Sequence, residues 1–191
     1  TTISVATSAQ LTCNVGDILN ISSTGSIIRS GSKAVAANNG VGASSTTVIN
    51  HGLISATNET INMKSASGTN IITNSGTINT AQNENDSNGT AVKVQKTDGT
   101  EIVNSGTIHG GNYAIQGLET DDITITNSGT ISGNNGTAPA IYLTNGTNAT
   151  ITNTGTITNL RHGIRLGKAH GSFNNATIIN SGLIAGTTHN N

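Results

Sequence analysis

The sequence predicts an all-β fold, a right-handed parallel β-helix of about seven three-strand coils, on three observations. A seven-residue motif reading apolar, polar, Asn, Ser, Gly, polar, apolar recurs through the chain, for example ITNSGTI at 125–131. Its glycines (Gly25, Gly52, Gly76, Gly106, Gly129, Gly155 and Gly182) are 27, 24, 30, 23, 26 and 27 residues apart. Self-similarity at such a period marks a stacked-repeat architecture. Between the motifs, Ile and Val alternate with polar residues, which is the period of a half-buried strand rather than a helix.

The first 20 residues, with Ile3, Val5, Leu11, Val15 and Ile18 around a Gly16-Asp17 turn, read as an irregular coil that blunts otherwise open strand edges. Repeating coils then run over 21–186, and 187–191 read as the open end of a fragment, all within one domain, 1–191. Each coil begins with a strand whose inward position is β-branched: Val48, Ile72, Ile102, Ile125, Ile151 and Ile178. The stretch 21–27 (ISSTGSI) is a degenerate copy of the motif that precedes the others. Two residues after the apolar position stands an asparagine: Asn50, Asn74, Asn104, Asn127, Asn153 and Asn180. Stacked one per coil, these amides are predicted to bond to one another in a ladder, as in other cross-β stacks. The glycine two residues later supplies a positive φ or a tight bend.

The second strand is centred on Ile27, Ile54, Ile78, Ile108, Ile131, Ile157 and Ile184, without exception isoleucine. The third points Val35, Ile61, Val92, Ile115, Ile141 and Ile164 inward, mostly after a small residue. Met63, Val94, Leu143 and Leu166 follow two positions on. Each coil advances about 4.8 Å, the spacing of strands in a sheet. The right hand follows from the chirality of parallel crossovers. Insertions fall at the bends, the longest over 79–89 (NTAQNENDSNG), with shorter ones over 95–100, 117–122, 132–137 and 167–175.

Composition narrows the functional classes. Charged residues are 9% of the 191 and aromatic residues 2%, with a net charge of −1. So balanced a charge gives no general attraction to nucleic acid or membrane. Cys13 stands alone and no disulfide staples the fold. No run approaches the ~18 apolar residues of a membrane helix, and no signal peptide opens the chain. The five histidines share no metal-ligand spacing, and neither a metal nor a cofactor is implied.

The tightest carboxylate group is Asp121-Asp122 with Glu119. Such a pair can hydrolyse glycosides, and Arg161-His162-Gly163 with Arg165 would supply basic partners. The coil places Asp122 in the bend before the Asn-turn strand and His162 at the start of the third strand, on another side. A solvated acidic loop is therefore the preferred reading. The more informative feature is an outward column on the third strand: Ala36, Asn62, Lys93, Gln116, Tyr142 and Arg165. With Arg161, Lys168 and His170 nearby, its last coil is basic, a surface suited to an anionic glycan or an acidic receptor patch. The Thr-x-Thr pairs 124/126 and 150/152 hint at an ice-binding array, but Ile49, Ile71, Glu101 and Val103 interrupt it. Asn-x-Ser/Thr sequons at Asn58, Asn88, Asn145, Asn148 and Asn175 follow from a composition rich in Asn and Thr.

The tandem Asn-Ser-Gly-Thr-Ile turns, the Ser/Thr/Asn/Gly-rich and Cys-poor makeup and the coil of about 26 residues resemble the passenger domain of a bacterial autotransporter, a type V secreted protein. The likeness runs from about residue 21 to residue 184, and the Asn/Ile/Thr-heavy style is similar to that of Bartonella-like passengers. The resemblance implies export through a C-terminal β-barrel translocator, which is not in this chain, and display on the bacterial surface or release. It implies a virulence-associated adhesin or effector that engages a host cell-surface protein or glycan, and no shared catalytic motif. A carbohydrate-active enzyme centred on Asp121, Asp122, His162 and Arg165 is the alternative, and an inert spacer a third.

Overall fold

A computed structural model describes residues 1–14, 16–38, 45–66, 69–80, 89–167 and 171–187. Within them the chain is an all-β parallel solenoid with about 26 residues per turn and no helix. Two sheets of eight strands and one of seven run along its length. In each, a strand pairs in parallel with its counterpart one winding on. The first sheet runs from Thr2–Ile3 to Thr177–Asn180, the second from Ala6–Thr7 to Leu183–Gly186, and the third from Leu11–Cys13 to His162–Leu166.

Six turns are complete, rather than about seven. Counting motifs overestimates because both ends are thin. The first 20 residues, expected as an irregular cap, add strands of only two or three residues in register with the next winding. The final motif contributes only two described strands.

The aliphatic columns pile up as the alternation requires. In the first sheet Val48, Ile72, Ile102, Ile125 and Ile151 are successive register partners, each fully buried. In the second, Ile54, Ile78, Ile108, Ile131 and Ile157 do the same. Burying one such side chain is worth about 1.5–3 kcal/mol, and its neighbours above and below are the same residue type. The core is thus a narrow stack of branched aliphatics, with little need of aromatic bulk.

The degenerate motif at 21–27 is not aligned as the others are. Leu19 pairs with Val48 and so heads the apolar column, whereas Ile21 pairs with Asn50 and occupies the asparagine position. Ser22, Ser23 and Thr24 separate Ile21 from Gly25, where a single residue separates Asn50 from Gly52. Two extra turn residues shift the apparent match. The long insertion expected over 79–89 lies mostly outside the described residues.

The asparagine ladder forms along the corner between the first two sheets. The Nδ2 of Asn50 donates to Oδ1 of Asn74 at 2.7 Å, and the same bond joins Asn74 to Asn104, Asn104 to Asn127 and Asn127 to Asn153. Asn153 donates to Asn180 at 2.8 Å. Each of these donor amides also meets the carbonyl of its own turn glycine and a carbonyl of the next winding. Every amide in the row therefore points the same way. Burial makes the pattern strict, since an unpaired amide in the dry corner would cost about 1–3 kcal/mol.

The turn glycine is needed for space, not for a positive φ. None of the motif glycines has one. A Cβ on Gly129 would lie 2.2 Å from the carbonyl oxygen of Gly106 in the winding before, and Gly76, Gly106 and Gly155 meet the same obstacle. Positive φ is instead found at the corner leaving the third sheet, at Lys96 and Gly99, Glu119 and Asp122, Asn145 and Asn148, and Asn175.

Candidate binding face

The strand register sets Lys93, Gln116, Tyr142 and Arg165 side by side on the outer face of the third sheet. Ala36 and Asn62 precede them in the same column. The column is less open than its outward position implies, for Ala36, Asn62 and Tyr142 are all buried.

Lys93 is engaged. Its Nζ bonds Glu59 Oε1 at 2.6 Å, while Lys33 approaches the other carboxylate oxygen at 3.5 Å and Asn62 donates to the same group. Burial alone would raise the Glu59 pKa. The Lys93 hydrogen bond and charge, with Lys33 and Asn62, outweigh it and hold the carboxyl below its usual value. Glu59 thus tethers two lysines from the windings on either side.

Tyr142 lies in a stack. Its ring centroid is 5.4 Å from that of Tyr113 with an interplanar angle of 18°, and the Arg165 guanidinium carbon sits 5.5 Å from it on the following winding. Aromatic and cation–π contacts of this kind contribute about 0.5–1.5 kcal/mol each. Burial, then the neighbouring Tyr142, raises the Tyr113 phenol pKa. Among the described residues Arg165 has no carboxylate partner. Arg161 is exposed at the turn entering His162–Leu166. Lys168 and His170 lie outside the described residues.

Tyr113 and Glu59 were not legible as members of this face. Both precede a break in the alternation. In the strand Tyr113–Leu118, Ala114 and Ile115 are both fully buried, so two consecutive residues face the core. The residue before them then emerges with the outward set. The repeated small residue before the inward Val or Ile was the available signal.

The carboxylates of the acidic loop hold backbone and amide groups. Asp121 Oδ1 accepts from Thr147 N at 2.8 Å and from Thr147 Oγ1 at 3.0 Å. Asp122 Oδ1 accepts from Asn148 Nδ2 at 3.0 Å, and Asn175 Nδ2 reaches Asn148 Oδ1 at 3.4 Å. A second, exposed side-chain ladder therefore follows this corner, unforeseen because its members (Asp122, Asn148, Asn175) are not one residue type and lie in bends outside the repeated motif. His162 pairs with Pro139 at the beginning of the third-sheet strand, whereas Asp121 bridges Asp98 beyond its end. A strand's length, about 17 Å, separates these positions along the face. A shallow groove beside the acidic corner includes Glu119, Asn145, Thr147 and Asn174. Among the described residues no three His, Cys, Asp or Glu side chains converge as a metal site would require.

No protein-family model, curated protein or solved structure matches the chain.

Proposed function

We propose that this chain is part of a secreted or surface-displayed autotransporter passenger that engages a host-cell receptor or glycan through the third sheet. The observation that carries the proposal is the Tyr113–Tyr142–Arg165 stack. Both tyrosines of a chain with 2% aromatic residues lie on an outer face, where the aliphatic core gains nothing from them. Tyr and Arg are the residues most enriched where surfaces make energetic contacts.

Architecture supports the export route. A solenoid whose windings touch only their neighbours can fold progressively as it emerges from a pore. The single cysteine leaves no intramolecular disulfide to obstruct threading. Asp121 and Asp122 already serve Thr147 and Asn148, which favours recognition over hydrolysis as the work of this chain.

The test is binding of the purified chain to intact host cells, with Arg161→Glu/Arg165→Glu as the variant. The expected result is at least a tenfold loss of affinity with an unchanged β-sheet circular dichroism spectrum. Equal binding by the variant removes this face. Depolymerisation of an acidic polysaccharide by the chain, abolished by Asp122→Asn, would replace the binding role with an enzymatic one.

A further inference from the structure

We infer that the outer face of the third sheet is a docking strip for a linear acidic polysaccharide lying parallel to the solenoid axis. This deepens the binding role proposed above and rests on it.

The argument starts from where the positive charge is. The chain has eight Lys and Arg residues. Five of them, Lys33, Lys64, Lys93, Lys96 and Arg165, lie in strands of the third sheet. The described strands of the other two sheets contain none. Against those five cations the third-sheet strands carry one carboxylate, Glu59, although the whole chain has a net charge of −1. Further negative charge stands at the edge of the sheet, where Glu119 Oε2 lies 3.8 Å from Lys96 Nζ in an exposed pair. Asp98, Glu119, Asp121 and Asp122 line the corner where the strands leave this sheet.

The cations are set out along the axis. They occupy the first three complete windings and the sixth, a span of about 24 Å at one strand spacing per winding. Lys64 and Lys96 are exposed, and Lys33 and Lys93 keep part of their side chains in solvent. The strip also offers neutral hydrogen-bonding groups, Gln95 beside Lys93 and Lys96 and Gln116 on the next winding, together with the partly exposed ring of Tyr113. Acidic groups at intervals, hydroxyls between them and sugar faces for an aromatic ring are the complementary chemistry.

The strip is also bounded. Its strands from Lys33 onward are five to eight residues long, about 17–26 Å, and end at the acidic corner. A nucleic-acid duplex, with a major groove alone about 12 Å wide and a dense phosphate charge on both strands, would bring phosphates against that corner. A single polysaccharide strand fits between the edges.

Heparin-derived oligosaccharides of graded length are the probe, titrated into the intact chain by calorimetry. Affinity is expected to rise with length until the oligosaccharide spans the strip, and then level off. It should fall roughly tenfold or more between about 50 and about 200 mM salt, as multiple charge contacts require. Lys64→Glu/Lys96→Glu, at the end of the strip remote from Arg165, should weaken the longest oligosaccharide at least tenfold and the shortest far less. Lys64→Gln/Lys96→Gln should produce a smaller loss in the same order, and both variants should retain the wild-type melting temperature. Absence of binding, affinity independent of length, or an unchanged affinity in the glutamate variant overturns the inference. So does equal affinity for duplex DNA or polyglutamate of matched charge. The Arg161/Arg165 cell-binding experiment reads the other end of the face, so loss there with no length dependence here rejects the strip while leaving the receptor role intact.

Discussion

Asn104 stands in the middle of the buried ladder, with an amide neighbour in the winding on either side. Its Oδ1 accepts from Asn74, and its Nδ2 serves Asn127, the Gly106 carbonyl and the Thr130 carbonyl. Asn104→Ala should cost about 2–4 kcal/mol, because it removes several bonds and strands the buried Oδ1 of Asn127. Asn104→Asp should be worse at neutral pH, since the second carboxylate oxygen would face three acceptors and no donor. At the exposed end of the row, Asn180→Ala should cost under about 1 kcal/mol. Urea unfolding of the three variants checks the order. His109 offers a different residue-scale test. Burial lowers its pKa from the usual 6.5, and its Nδ1 lies 2.9 Å from Ser132 Oγ. The fold therefore favours neutral imidazole. Below pH 6.5 the unfolded chain takes up a proton that the folded chain resists, so this contribution is complete above 6.5 and is lost as pH falls through the folded value. Comparing urea midpoints at about pH 7 and about pH 5 should show a shallower loss in His109→Gln than in wild type.

At the scale of a strand or corner, two glycines illustrate how different constraints produce the same letter. Gly129→Ala should destabilise by about 3 kcal/mol, because its Cβ meets a backbone oxygen of the preceding winding that cannot move alone. Gly16→Ala has open space but a φ of 76°, and should cost about 1–2 kcal/mol for the left-handed backbone. Thermal melts of both variants separate packing from conformation. The same contrast explains what the sequence could reveal. The period, the isoleucine columns and the asparagine ladder were legible because one residue type serves one geometric role in every winding. The degenerate first motif misled because glycine matched while two inserted turn residues displaced Ile21 into the asparagine column. The outer face was legible only as a list of polar positions. Whether Lys93 was free depended on Glu59, which sits before the consecutive buried residues Thr60 and Ile61, and Tyr142 was half of an aromatic stack whose other half lay outside the period-two pattern. On this outer face the side chains that meet across windings come from different columns or different residue types, so periodicity could not announce them.

The whole molecule behaves as a one-dimensional stack, and that sets where a defect is felt. Each inward isoleucine packs against counterparts above and below, so its contribution depends on how many windings cover it. Ile125 is fully buried between Ile102 and Ile151, whereas Ile178 is covered by Ile151 on one side and is 44% exposed. Ile125→Ala should cost about 2–5 kcal/mol, the usual penalty for a buried isoleucine whose surroundings cannot collapse. Ile178→Ala should cost about 1 kcal/mol or less, because much of the apolar surface it removes is already in water. Amide hydrogen exchange makes the argument spatial. Protection should be highest around Ile102–Ile125–Ile151 and decline towards the last two strands, Thr177–Asn180 and Leu183–Gly186. Ile125→Ala should lower protection on both sides of the substituted winding, while Ile178→Ala should leave the central windings unchanged. Uniform loss of protection along the rod in both variants would mean that the stack opens as a single unit and that neighbour-to-neighbour coupling is too strong for one winding to respond alone.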